Sequence, residues 1–277
     1  MTQMSGEAVT PQTVNIDIAE IAQIALKGIR RAYVFMGLGL DAASDSSVTN
    51  VHLGQGTRVQ IVPQEISGNV LANYKASFAG WITANGLREI VESFGLFLNR
   101  VYFACLLIST SGMADKEGDN RKRAKSFEWL GEHKKLNRLS KEFGVTSALA
   151  THIQSLNTVR NCLTHRWGIV HETDCNEPGK LVVSWARHEI VAQPESGEEI
   201  VFPPNFEEPI ELKGPATIGI RFVEARKEFP VKSPVALEPG DLEEICVMMI
   251  WATDEIRRSL VEFAQKCEIP IRAREGK

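Results

Sequence analysis

Residues Val70–Ser109 read VLANYKASFAGWITANGLREIVESFGLFLNRVYFACLLIS and carry the longest helical pattern in the chain. Their apolar side chains recur at the spacing of an α-helix, and a break in such a helix is expected, if anywhere, near Gly86 or Gly95. A helix of this length predicts a bundle in which other helices pack around it. Its apolar side consists of Trp81, Ile82, Ile90, Phe94, Phe97, Leu98, Val101 and residues 103–107.

Further helices are predicted on both sides of this one, each from an apolar stripe and its start and stop signals. Gly144 is expected to end one of them, and Thr146 or Ser147 to cap the next. Polar loops are expected at 37–50 and 109–120. The predicted helices cover residues 16–35, 121–143, 147–167 and 241–266.

Shorter apolar runs predict a small amount of β-structure. Val51–Leu53 and Arg58–Val62 resemble a hairpin, and Leu181–Val191 alternates as a strand does. The segment Pro194–Pro239 is interpreted as a β-meander that pairs with that hairpin. The expected fold is therefore mainly α: an antiparallel helical bundle in residues 15–277, with a disordered tail at 1–14 and a β-rich insertion at about 180–236, before the C-terminal helix.

Composition is that of an ordinary soluble protein, with 43% apolar and 24% charged residues. The net charge of −4 argues against a general nucleic-acid binder, although a local basic patch is compatible with it. No secretion signal or uncharged membrane-spanning run is recognised. The five scattered cysteines suit reduced thiols. We therefore expect a cytoplasmic protein without a membrane association.

The segment Arg160-Asn-Cys-Leu-Thr-His165 combines a permanent cation, an amide and an imidazole at the end of an apolar-striped helix. On a helix, Asn161 and His165 lie roughly 40° apart, and Arg160 lies about 140° from His165. A guanidinium that holds a phosphate beside an imidazole base is a minimal apparatus for phosphodiester chemistry without a metal. Neither a metal site nor a cofactor is expected.

The spacing alone is weak, because roughly one Arg-x4–6-His match is expected by chance. A second match, from Arg166 to His171, crosses Gly168 and a β-branched pair and is not expected to share one helix. The first match has Asn directly after Arg and a glycine stop beyond it, and this context singles it out.

The stretch from Ser147 to Val170 resembles the signature of the HEPN family, in which Arg and a polar residue precede His by a few positions. The resemblance implies a compact helical bundle that forms a homodimer and brings two motifs face to face. Many members of the family are metal-independent endoribonucleases with toxin, antiphage or RNA-processing roles, whereas others lack catalysis. The resemblance assigns Arg160, His165 and Asn161 as catalytic residues.

The run from Arg121 to Lys141 holds eight Lys or Arg against two Glu. A solvated helix face is the ordinary explanation, but such a run would also grip an RNA backbone. The candidate RNA-binding residues are Lys122, Arg123, Lys125 and Arg166.

Three hypotheses follow. The leading one is a dimeric endoribonuclease that leaves 2′,3′-cyclic phosphate ends, acting in a toxin or antiphage role with an antitoxin-like protein as a candidate partner. The alternative is a non-catalytic HEPN-type module that binds nucleotide or RNA, or docks a protein. In the third, Arg160 and His165 only brace the bundle.

Overall fold

A computed structural model describes residues 14–52, 61–62, 65–111, 116–195, 197–203, 211–212 and 214–272. Within these residues the chain forms six α-helices and a small antiparallel sheet of three strands, which confirms a mainly helical fold with β-structure before the last helix. The predicted tail lies, up to residue 13, outside the described residues. The elements are α1 (Ile18–Ser44), α2 (Gly68–Ser109), α3 (Glu117–Glu128), α4 (Glu132–Phe143), α5 (Ala150–His165), β1 (Lys180–Pro194), β2 (Ile200–Val201), β3 (Ala216–Pro230) and α6 (Pro239–Lys266).

Helix α2 runs unbroken for 42 residues, so no break occurs near Gly86 or Gly95. Gly86 lies against Met36 of α1, and Gly95 lies against the side chains of Glu132 and Lys135 in α4. The missing side chains make room for neighbouring elements, and that packing compensates for the helical cost of glycine. The other five helices all pack on α2.

Helix α1 continues to Ser44, and the prediction of a loop from residue 37 was wrong over its first half. Gly39 packs so closely on α2 that a Cβ there would lie 2.7 Å from the side chain of Ile82. Gly28 makes a similar approach, because its Cβ would lie 2.0 Å from Ser93 Oγ. These glycines mark a close helix–helix contact.

The predicted helix over 121–143 is two helices, α3 and α4, separated at Trp129–Gly131. Helix α3 also begins at Glu117, inside the predicted loop. Its Phe127 is buried and stacks on Tyr102 of α2 with ring centroids 3.9 Å apart. The break lets α3 and α4 each place a face on α2. Gly144 ends α4 in a left-handed conformation with φ 68°, as predicted.

The sheet has the order β2-β1-β3, so the expectation of a meander after residue 194 was wrong. β1 is central: it pairs along its whole length with β3, from Lys180 opposite Pro230 to Pro194 opposite Ala216. β2 adds two residues on its other edge. Most of the hairpin predicted at 51–62 lies outside the described residues, and the described residues 51–52 and 61–62 are not in strands.

The sheet shares its core with the helices. Leu181, Val183 and Trp185 of β1 belong to the same buried cluster as the apolar faces of α2, α5 and α6. The indole Nε1 of Trp185 donates a hydrogen bond of 2.7 Å to Glu244 in α6. This contact satisfies the polar atom of a large buried ring and fixes β1 against the last helix.

Helix α2 is long and apolar enough, by length and composition, to cross a membrane. Its most apolar 18-residue window is, however, 67% buried inside the fold. Burial of this extent is typical of the core helix of a soluble protein.

Candidate functional site

The motif lies on the last turns of α5, whose apolar stripe packs against α2, α4 and β1. Ile153, Leu156 and Leu163 of this stripe are buried. Because this stripe faces inward, Asn161 is half-buried at its margin and His165 is exposed.

A tight turn ends α5 directly after His165. The backbone N–H groups of Arg166 and Gly168 both donate to the carbonyl of Cys162, at 3.0 and 3.3 Å. Trp167 and Gly168 adopt left-handed conformations with φ 56° and 76°. Glycine adopts this conformation readily, whereas a bulky residue such as Trp does so with strain. The strained turn leaves the Trp167 side chain 93% exposed beside the motif.

His165 is the accessible member of the motif. Its imidazole has no hydrogen bond or ion pair with any residue that the structure describes. Asn161 lies one turn earlier on the same side of α5, at the spacing that lets an amide reach an imidazole. The two side chains are therefore open to a ligand at the end of the helix.

Arg160 points in a different direction, back along α5 and toward α4. Its Nη2 donates a hydrogen bond of 2.8 Å to Asn157 Oδ1 and lies 3.8 Å from Glu132 Oε2. Its side chain is 18% exposed, and its buried Nε has no partner among the described residues. No hydrogen bond or ion pair joins Arg160 to His165 within the described chain, so the two do not form a closed site in this conformation.

The carboxylate that faces Arg160 belongs to a polar cluster between α2, α4 and α5. Glu132 lies in the first turn of α4, where the helix dipole favours a negative charge. Lys135, one turn later, is buried and donates a weak hydrogen bond of 3.5 Å to the Gly95 carbonyl. Burial lowers the pKa of Lys135, and the nearby charges of Glu132 and Glu128 oppose that effect. At 3.8 Å, the ion pair between Arg160 and Glu132 is a long one.

Arg166, predicted to bind RNA, is engaged within the protein. Its Nη1 donates a hydrogen bond of 2.5 Å to Asp174 Oδ1, and the Asp174 side chain is only 4% exposed. The other Asp174 oxygen accepts the backbone N–H of His171 at 3.0 Å. Arg166 therefore fastens the end of α5 to the short 3₁₀ turn Glu172–Asp174.

The basic residues of α3 divide into two kinds. Lys122 and Lys125 are exposed, as a phosphate-binding role requires. Arg123 instead donates to Glu142 at 2.9 Å, and Arg138 and Tyr102 donate to the same carboxylate. Burial acts to raise the pKa of Glu142, but these hydrogen bonds outweigh it and the pKa lies below its ordinary value. Helix α3 packs mainly on α2, so its lysines are not direct neighbours of the motif.

Two shallow clefts lie elsewhere on the surface. One, of about 350 Å³, lies between the end of α1 and the start of α2. The other, of about 290 Å³, lies between α5 and the sheet, is mainly polar, and includes Gln154 and Arg226. Neither cleft is lined by Arg160 or His165.

Among the described residues, no group of three or more His, Cys, Asp or Glu side chains is placed to hold a metal ion. His152 Nδ1 lies 3.3 Å from Ser184 Oγ of β1.

Trp167 is the residue at this site that the sequence analysis did not select. An exposed aromatic side chain at the end of a motif helix can stack on a nucleic-acid base. The available signal was its position between Arg166 and Gly168, outside the apolar stripe of α5.

Comparison with known proteins finds no family model, no curated sequence and no solved structure that matches this chain.

Proposed function

We propose that the protein is a HEPN-type, metal-independent endoribonuclease that acts as a homodimer on single-stranded RNA. A ribose 2′-oxygen attacks the adjacent phosphorus and the 5′-oxygen leaves, which gives a 2′,3′-cyclic phosphate and a 5′-hydroxyl end. His165 takes the proton from the 2′-hydroxyl, and the His165 of a second copy or a water returns one to the leaving oxygen. Arg160 neutralises the charge that builds on the phosphate.

The observation that carries this proposal is the state of His165. The His165 imidazole is exposed, has no partner in the described chain and lies one turn from an amide, so its ring nitrogens are accessible to a ligand. A histidine that only braced a bundle would be expected to contact a neighbouring element. Asn161 is suited to orient the imidazole or to donate to the phosphate.

Arg160 has to turn outward to meet a phosphate beside His165. It would give up one hydrogen bond to the neutral amide of Asn157 and a long ion pair with Glu132. A net hydrogen bond contributes about 0.5–1.5 kcal/mol, whereas a charge-assisted bidentate contact with phosphate is stronger. The exchange also leaves the Glu132 carboxylate without its cation, so the contact with phosphate has to compensate that cost as well.

The surroundings suit single-stranded RNA. Trp167 offers a stacking surface directly after the motif, and stacking on an aromatic side chain contributes about 1–3 kcal/mol per base. Lys122 and Lys125 are exposed cations for the backbone farther along a strand. Toxin or antiphage action in a cytoplasm, restrained by an antitoxin-like protein, would fit an endoribonuclease of this kind.

The test is cleavage of a single-stranded RNA by the purified protein in EDTA, with the ends identified by mass spectrometry. His165→Ala is expected to reduce the rate by about 100-fold or more, the usual contribution of a general base. His52→Ala, at an exposed histidine in the segment after α1, is the matched control and should cleave normally. The proposal is wrong if the native protein cleaves no faster than the Arg160→Ala/His165→Ala double variant.

A second candidate is favoured by the inward direction of Arg160. If the guanidinium stays with Asn157 and Glu132, the chain is a non-catalytic HEPN-type module that binds nucleotide or RNA, or docks a protein. In that case the native protein shows no cleavage, and Trp167→Ala weakens RNA binding, or partner binding, without an activity to lose. The cleavage assay in EDTA separates the two candidates, and fluorescence titration of a labelled RNA measures the effect of Trp167→Ala on binding.

A further inference from the structure

The last twelve residues of α1 and the first fifteen residues of α2 form a two-helix arm, defined here as residues 33–44 and 68–82. No side chain of Gly68–Ile82 is buried. The half-buried positions there, Leu71, Lys75, Ala79 and Ile82, recur at helical spacing along the side that faces α1. This part of α2 therefore has contact on one side only.

One flank of the arm carries a continuous row of large apolar side chains. On α2 the row begins at Val70 and continues 4, 8 and 11 residues later. These four positions lie within about 80° of one another on the helix, and about 100° from the side that faces α1. On α1, Phe35 and Leu38 lie within about 60° of Arg31, and the Arg31–Glu89 ion pair shows that this flank adjoins the same side of α2. The row, called the arm stripe below, is Phe35, Leu38, Val70, Tyr74, Phe78 and Trp81.

These side chains are 38–66% exposed. Phe78 and Trp81 stack with their centroids 6.3 Å apart and an interplanar angle of 19°, so part of the stripe is a flat aromatic surface. With roughly 200 Å² for an aromatic side chain, the stripe exposes on the order of 500 Å² of apolar area. A standard interface buries about 800 Å² per partner, somewhat more than half of it apolar. The stripe is the right size for the centre of one stable contact.

The charges around the stripe identify what covers it. Between Gly68 and Leu87 the sequence holds one formal charge, Lys75, and its ammonium donates to the Asp45 carbonyl. At the base of the stripe, Arg31 pairs with Glu89 and Arg88 pairs with Glu92. Both cations have an anion of their own, and the α1 part of the arm adds one exposed carboxylate, Asp41. The flank therefore offers no positive charge to attract nucleic acid, and two copies that meet here bring together no like charges other than the Asp41 carboxylates.

Geometry favours the same occupant. A helical hairpin has two helices in one layer and leaves its flanks open, whereas two hairpins packed side by side form a four-helix bundle with a shared core. A two-fold axis would place each stripe against the other, as in the isologous contacts of most homodimers. We propose that the arm stripe is a self-association surface, through which two copies of this chain pack their arms into an intermolecular four-helix bundle.

The test is the oligomeric state of the full chain by sedimentation equilibrium at micromolar concentration. The native protein is expected to be a dimer, and Trp81→Glu should raise its dissociation constant by at least about 30-fold, as for the removal of a central aromatic anchor. Leu38→Glu, on the other helix of the arm, should do the same. Trp129→Glu replaces a tryptophan that is 84% exposed between α3 and α4, and is the matched control that should remain dimeric.

Circular dichroism checks that the variants keep their helices, which is expected because the replaced side chains are exposed. A monomeric native protein would overturn the proposal, as would a dimer that persists in both Trp81→Glu and Leu38→Glu. The second result would mean that the arm stripe is not the contact between the copies. The measurement needs no RNA, so its outcome is independent of whether the protein cleaves.

Discussion

At the scale of single residues, the pair between Arg166 and Asp174 is the contact whose loss should matter most. Asp174 is nearly inaccessible, and Arg166 is the cation that compensates it. Arg166→Ala would leave a buried carboxylate unpaired, so we expect the free energy of unfolding to fall by about 2–4 kcal/mol. Urea denaturation followed by circular dichroism measures this change.

The control is Arg258→Ala, which removes an ion pair of the same 2.5 Å length to Asp254 on the surface of α6. An exposed pair contributes about 0–1 kcal/mol, so this variant should unfold almost as the native protein does. Equal losses in the two variants would show that burial of Asp174 does not set the energy of the pair.

The motif residues could be selected from sequence, but the direction of their side chains could not. The apolar stripe of α5 leaves Asn161 and His165 at its margin, because a helix fixes which positions face inward. The long side chain of Arg160 is directed by what lies across from it, and that is Glu132, 28 residues earlier and on another helix. Arg123 was likewise selected as a free cation, whereas Glu142 holds it.

At the scale of the elements, the packing of α1 on α2 depends on glycine at the point of closest approach. Gly28→Ala would place a methyl group 2.0 Å from Ser93 Oγ and 2.2 Å from its Cβ, so the helices would have to separate. We expect this variant to lose about 1–3 kcal/mol of stability, the usual cost of overpacking. The shift in urea midpoint at constant slope measures it.

Gly37→Ala is the matched control on the same helix, because nothing lies within 4 Å of a Cβ at that position. There the better helix propensity of alanine should stabilise the protein by roughly 0.5–1 kcal/mol. Opposite signs for the two variants are therefore expected. A gain of stability in both would contradict the close approach at Gly28.

The helices were predicted where an apolar stripe was strong. Their ends were misplaced at glycines, because a glycine can either break a helix or allow a neighbouring helix to pack closely. Gly37 was taken as the start of a loop and Gly86 as a candidate break point, although both lie inside helices. Local sequence does not say whether a neighbouring helix will use the space that glycine leaves. The division between α3 and α4 was missed for a related reason, since charged residues give a continuous helical pattern across Trp129–Gly131.

At the scale of the whole molecule, three buried cysteines on different helices lie in one shared core. Cys105, Cys162 and Cys246 lie on α2, α5 and α6, and all belong to the same buried cluster. Burial raises the pKa of Cys162 to about 11, with a further effect from Asp174, and burial raises that of Cys246 to about 12. Because the thiolate is the reactive form, these thiols should be inert in the folded protein.

We expect a disulfide reagent at pH 8 to modify the two partly exposed cysteines, Cys175 and Cys267, and to spare the other three. As urea is added, the three should become reactive together, because one core unfolds as a cooperative unit. Mass spectrometry of the labelled protein gives the count at each urea concentration. Reaction of Cys246 well before Cys105 would indicate that α6 detaches by itself.

The raised pKa values also give the stability a pH dependence. The unfolded thiols titrate near their ordinary pKa of about 8.5, whereas the folded ones stay protonated. The unfolded state therefore binds fewer protons above that pH, and the free energy of unfolding falls as pH rises from about 8.5 toward the folded values. Below about pH 8 the thiols are protonated in both the folded and the unfolded state, so they do not lower the free energy of unfolding there.

The long β3 strand bears on how copies of this chain can meet. In the part of the chain that the structure describes, β3 pairs only with β1, so its other edge presents unpaired backbone donors and acceptors over 15 residues. A bare edge of that length invites strand addition and fibril growth. Charged residues of both signs occur along this edge strand, and charges on an edge strand disfavour the addition of a further strand. These charges thus disfavour polymerisation through the sheet, whereas the surface that favours self-association is the apolar arm stripe on α1 and α2. The residues concerned are Arg221, Glu224, Arg226, Lys227 and Glu228.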